Sequence, residues 1–156
     1  MKRSSVIEFI VEGKPPRKRD NQSIWKHPTE SLRVALLREK ASEACKNVGL
    51  EGHFNYHPVK LEIMIFASNI TARDYIQKNN DDPDKYVGDL DSFITGICDS
   101  LKPINLQVKP GEVFQGREDI DPVKPIILKD DSQIVSIVAK KIQSNDSHYV
   151  VRIESV

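Results

Sequence analysis

Between Val34 and Phe66 the spacing of apolar residues changes from every third or fourth position to every second. Val34, Leu37, Ala41, Ala44 and Val48 share one face of a helix that Pro28-Thr29 opens and Gly49 stops, with Thr29 the expected N-cap. Arg33, Arg38, Lys40 and Lys46 fall off that stripe and are expected in water or against a partner. Val59, Leu61, Ile63 and Ile65 then alternate with Lys60, Glu62, Met64 and Phe66, the signature of a half-buried strand. A chain carrying both periods has to pack helices on a sheet.

The flanking segments extend the same pattern. Val6 to Glu12 reads as a first strand ending at Gly13, and Leu90, Phe93, Ile94, Ile97 and Leu101 mark a second amphipathic helix limited by Pro103. Ile134 to Ile142 and His148 to Ile153 are β-branched strands, and Ser144-Asn145-Asp146-Ser147 predicts a hairpin turn joining them as an antiparallel pair. Residues 68 to 88 are polar and predict a loop, with a short helical turn around Thr71 to Gln77; residues 102 to 128 are irregular, with a turn at Pro110-Gly111. The expected architecture is α+β, two helices packed on one mixed sheet of about four or five strands. At 156 residues and 38% hydrophobic, the chain suits one domain spanning 1–156.

No run approaches the roughly 20 apolar residues of a membrane helix, and Met1 to Ser5 leads into Glu8 and Glu12 without a signal-peptide core. A soluble, cytoplasmic protein is expected. Cys45 and Cys98 form no C-x-x-C pair and read as small core residues. The net charge of zero conceals segregation: residues 1–60 carry 12 Lys/Arg against 7 Asp/Glu, whereas residues 61–100 carry 3 against 8. Such polarity suits a surface that grips phosphates beside one that holds divalent cations.

The basic part centres on Lys14-Pro15-Pro16-Arg17-Lys18-Arg19, which two prolines keep from being helical, so it predicts an extended loop displaying four cations near Trp25. Lys14, Arg17, Lys18, Arg19 and Arg33 are the candidate DNA-phosphate contacts. The acidic part offers Asp89-Leu90-Asp91 at the start of the second helix and Asp130-Asp131 before the penultimate strand. Carboxylates are hard ligands that favour Mg²⁺ or Mn²⁺ over zinc, although caps and turns use the same residues. Asp82, Asp84 and Gly88 miss the EF-hand spacing, and His53 and His57 lie between Gly52 and Pro58 rather than on a helix. No glycine-rich phosphate loop supports a nucleotide cofactor.

Taken together, Gly13 to Arg19, the D-x-D that opens a helix ending Cys98-Asp99-Ser100-Leu101, and Asp130-Asp131-Ser132-Gln133-Ile134-Val135 resemble the RusA family of Holliday junction resolvases. The resemblance runs from about Val6 to Glu154. It implies a Mg²⁺-dependent endonuclease that resolves four-way DNA junctions in recombination and repair, acting as a homodimer. It also implies Asp89, Asp91 and Asp131 as metal ligands converging on one pocket, Asp99 as the helix aspartate, and Lys141 as a lysine on the following strand. Two positions depart from the family pattern. Ser92 and Thr95 stand where the family usually has Asn and Lys, so Lys85, Lys129 or Lys141 must supply the missing charge or cleavage is impaired. Residues 102–128 are longer than the family's linker. A junction-binding protein without cleavage, or a non-catalytic interaction module, are the alternative readings.

Overall fold

The computed structural model describes residues 6–19, 22–49, 54, 57–71 and 88–156. The short helical turn expected within Thr71 to Gln77, and Lys85, Asp82, Asp84 and His53, lie wholly or largely outside the described residues. Among the described residues, four strands and two helices follow in the order β1 (Val6–Glu12), α1 (Glu30–Asn47), β2 (Val59–Ala67), α2 (Leu90–Leu101), β3 (Ile134–Gln143) and β4 (His148–Ser155). Short 3-10 turns occupy Glu112–Phe114 and Asp131–Gln133. The α+β class, with two helices on one mixed sheet, is therefore realised.

The strand order is β1-β4-β2-β3, which corrects one expectation. β3 and β4 do not form a hairpin: β4 pairs antiparallel with both β1 and β2, and β3 lies parallel on the far side of β2. The Ser144–Ser147 connection instead crosses the end of β2, where Ser144 N–H donates to Ala67 O at 2.8 Å and Gly13 N–H donates to Ser147 O at 2.9 Å. Turn-rich residues between two strands show that the chain reverses, not that the strands are neighbours.

One face of the sheet carries Ile7, Phe9, Val11, Leu61, Ile63, Ile65, Val151 and Ile153 into a core completed by Leu37 and Ala41 of α1 and by Phe93, Ile97 and Leu101 of α2. Strand alternation puts Glu8, Lys60 and Glu62 on the exposed face. Cys45 and Cys98 are buried free thiols, and burial pushes them up to about 11 and about 12, away from thiolate chemistry. Among the described residues no helix is long and apolar enough to cross a membrane.

A second, smaller core gathers Ile24, Trp25, Val34, Ile104, Phe114 and Ile120. Its organiser is Arg38, expected at the surface and found fully buried. The guanidinium lies 5.0 Å from the Trp25 ring centroid and donates to the carbonyls of Ser100 (2.7 Å), Lys102 (3.4 Å), Ile120 (3.3 Å), Asp121 (2.7 Å) and Lys124 (2.6 Å). An irregular segment cannot satisfy its own carbonyls through a ladder, so a five-donor side chain does it instead. Desolvation pulls Arg38 down to about 10, with the charge of Asp121 opposing. Residues 102–128 are thus an ordered, packed appendage to the domain.

The start of α1 brings a second correction. Thr29 has helical φ and ψ and makes no side-chain cap. His27 caps instead: its Nδ1 accepts from Thr29 N–H at 3.1 Å and Glu30 N–H at 3.2 Å. An imidazole nitrogen two residues upstream satisfies the same orphan donors that a threonine hydroxyl would.

Candidate functional site

The basic loop lies along α2. Gly96 makes this possible, because a Cβ built there would stand 2.0 Å from the Pro16 carbonyl oxygen. Next to that contact, Lys18 N–H donates to Ser92 O at 3.2 Å. Glu30, at the first turn of α1, holds the loop from the other side. It is fully buried and accepts from Arg17 N–H (3.1 Å), Arg19 Nε (2.7 Å) and Arg33 Nη1 (3.1 Å). Burial alone would raise its carboxyl, but the Arg19 hydrogen bond, the Arg33 charge and the Arg17 amide outweigh this and hold it below its usual value.

This geometry sorts the five basic candidates. Lys18 is exposed; Arg17 is half-buried. Arg19 and Arg33 turn their guanidinium groups onto Glu30, so both act first as loop anchors rather than as unpaired phosphate contacts. Lys14 is half-buried and engaged in an interaction of its own. Trp25, just after the loop in sequence, is packed inside at 5% exposure, tilted against Phe114 at 5.4 Å between centroids.

Asp89 and Asp91 sit together where α2 begins. Asp89 is the N-cap residue, with extended backbone and no side-chain cap bond, and Asp91 lies in the first turn. Both are exposed. Gly88, with φ of +127°, precedes them; a Cβ here would come within 2.9 Å of Phe93 Cζ and 3.2 Å of Arg17 Nη1. Lys141 reaches the same place from β3, donating from Nζ to Gly88 O at 3.1 Å. The Arg17 guanidinium and the Lys141 ammonium thus both lie beside Gly88, and the next turn of chain carries Asp89 and Asp91. Thr95, one turn on, donates its hydroxyl to Asp91 O at 3.1 Å.

Asp131 is elsewhere, which corrects the expected convergence. Lys102, just past the end of α2, donates to Asp131 Oδ2 at 3.1 Å and lies 3.3 Å from Asp99 Oδ1. The 12 residues of α2 span about 18 Å. β3 runs back along the helix, so Lys141 meets its start while Asp131 stays at its end. Metal–oxygen distances of about 2 Å leave no way for one ion to bind all three carboxylates in a single chain. Consistently, no group of three His, Cys, Asp or Glu suited to a metal occurs among the described residues. Burial pulls Lys102 down, but its hydrogen bond to Asp131 and the Asp99 charge win and hold it above its usual value.

Asp130 belongs to the turn before β3. The Ser132 hydroxyl donates to its Oδ2 at 2.5 Å and holds its carboxyl below the usual range. Gln133 fastens that turn, accepting from Lys129 N–H (2.8 Å) and Asp130 N–H (3.2 Å) and donating to His57 O (3.0 Å). The Asp-Asp-Ser-Gln string is accordingly a self-bonded turn that leaves Asp131 exposed.

Glu30, Gly96 and Lys102 were not singled out from sequence. A glycine inside an otherwise regular helical pattern marks a close backbone approach, and that signal was present at Gly96. Compared with known protein families the sequence matches none, and no curated protein matches it.

Proposed function

We propose that this protein is a Mg²⁺-dependent, structure-selective DNA endonuclease acting on four-way junctions as a homodimer. The observation that carries the reading is that Arg17 and Lys141 both reach Gly88, directly before the Asp89 and Asp91 that open α2. Mg²⁺ is held in phosphoryl-transfer sites by one or two carboxylates, water and substrate phosphate rather than by a closed protein cage, so this pair fits it. When bound, such an ion activates water and offsets the charge of the transition state. Asp89 and Asp91 would hold the ion, and Arg17 and Lys141 would hold the phosphodiester beside it.

Asp131 serves this site from a second copy. β3 is an edge strand with Val135, Ile137 and Val138 exposed, preceded by Asp130-Asp131 and carrying Lys140-Lys141 in its second half. Antiparallel pairing of two copies along this edge would oppose the acidic and basic ends. Asp131 of the partner subunit would then approach Lys141, and with it Asp89 and Asp91. Two-fold symmetry matches the two symmetric nicks that a junction requires.

The deciding experiment incubates purified protein with end-labelled four-way junction and Mg²⁺. Paired nicks that vanish in EDTA and in Asp91→Asn are expected. Tight binding without any nick would overturn the endonuclease reading and leave a junction-binding protein.

A further inference from the structure

Resting on the endonuclease reading above, we propose that Arg17 is a catalytic residue whose guanidinium binds the scissile phosphate and neutralises charge on its non-bridging oxygens.

Three contacts fix its position. The Pro16 carbonyl occupies the space that the missing Cβ of Gly96 leaves, Lys18 N–H donates to Ser92 O, and Arg17's own N–H donates to Glu30 Oε1. The backbone is therefore pinned before, at and after Arg17. From there the side chain runs to Gly88, immediately before Asp89, with Nη1 3.2 Å from where a Gly88 Cβ would stand.

The distribution of charge singles out this residue. Arg19 and Arg33 are committed to Glu30, Lys102 to Asp99 and Asp131, and Lys141 to Gly88 O. Among the described residues the Arg17 guanidinium has neither hydrogen bond nor ion pair, although the side chain is half-buried. A positioned, partly desolvated guanidinium whose N–H groups are not taken up by the described residues is a site for an anion.

The chemistry it would serve is hydrolysis of a phosphodiester. A water oxygen forms a bond to phosphorus as one bridging P–O bond breaks; the water gives up a proton and the departing oxygen gains one, leaving a hydroxyl and a phosphomonoester. Negative charge on the two non-bridging oxygens matches the parallel N–H groups of a guanidinium better than the single point charge of an ammonium.

The test uses the full chain and a labelled four-way junction, reading nicking at saturating protein with Mg²⁺ and, separately, affinity in EDTA across a salt series. Arg17→Ala should nick about 10²- to 10³-fold more slowly and flatten the slope of log affinity against log salt by about one. Arg17→Lys should recover the slope while nicking at least about tenfold below wild type, because it keeps the charge and loses the fork. Lys46→Ala, on the exposed face of α1, should change neither. These substitutions spare the backbone bond to Glu30, so thermal melts should match wild type. If wild type nicks and Arg17→Ala nicks equally fast at saturation, the role of Arg17 is overturned and the endonuclease reading stands. If wild type binds but never nicks, both are overturned.

Discussion

Lys141 Nζ donates to the carbonyl oxygen of Gly88 at 3.1 Å, tying the core-side face of an edge strand to the residue before Asp89. A strand and a helix terminus that share such a bond move together. The carboxylate pair is thereby set in a fixed relation to the edge along which a second copy would pair.

A cation bound there should stabilise the fold, because the unfolded chain carries the pair without its fixed geometry. Titrating Mn²⁺ into wild type should raise the melting temperature, with stabilisation of about 2.7 kcal/mol once the ion exceeds its Kd a hundredfold. Asp91→Asn should abolish most of that response. Asp131→Asn should weaken it only at protein concentrations where the dimer forms, which sedimentation run in parallel would report. An equal response in wild type and Asp91→Asn would reduce the acidic pair to helix-end electrostatics.

Glu30→Gln should cost about 2–3 kcal/mol in urea unfolding at neutral pH, since it removes a buried acceptor shared by three donors. The pH dependence has a definite sign. The folded carboxyl lies below its ordinary value of 4.5, so its contribution is complete above that value and is lost as pH falls through the folded one. The gap between wild type and Glu30→Gln should therefore hold at neutral pH and narrow as pH falls below the ordinary value of 4.5.

Gly96→Ala should destabilise by about 2–3 kcal/mol, because the new methyl would meet the Pro16 carbonyl and neither backbone can retreat cheaply. Displacement of the loop should expose Arg17 to Arg19, so trypsin should cut there faster than in wild type. Equal cleavage and equal stability would contradict the close approach of loop and helix.

Arg38→Met should lose about 3–5 kcal/mol, as five carbonyls then compete for donors that the interior lacks. Trp25 is the only tryptophan in the chain, so its emission reports the change directly. A red shift and faster amide exchange across residues 102–128 are expected.

The elements themselves were legible because each was written in a clean period. β2 follows the alternation of Val59 to Phe66, and α2 begins and ends where Leu90 and Leu101 predict. What was not legible depended on partners distant in sequence. Nothing near Arg38 announces that carbonyls from Ser100 to Lys124 will surround it, so a cation off the apolar stripe reads as solvated. The β3–β4 hairpin failed for the same reason: β1 and β2 together outcompete a local reversal for the β4 edges. At the candidate site, sequence supplied Asp89, Asp91, Arg17 and Lys141 but set Asp131 with them. That residue's place follows from the course of residues 102–128, which carry no periodic signal.

The position of β4 governs how the molecule can be assembled. It is the last strand along the chain yet lies between β1 and β2, so the sheet's interior stays open until residues near 150 arrive. Among the described strands β1 pairs with β4 alone, and β2 meets β3 across a connection spanning the whole of α2 and the Arg38-bound segment. Closing such distant pairings is entropically slow. Closure of the sheet is thus expected to be a concerted event that waits for β4, with the apolar residues of β1 exposed to chaperones or to aggregation until then.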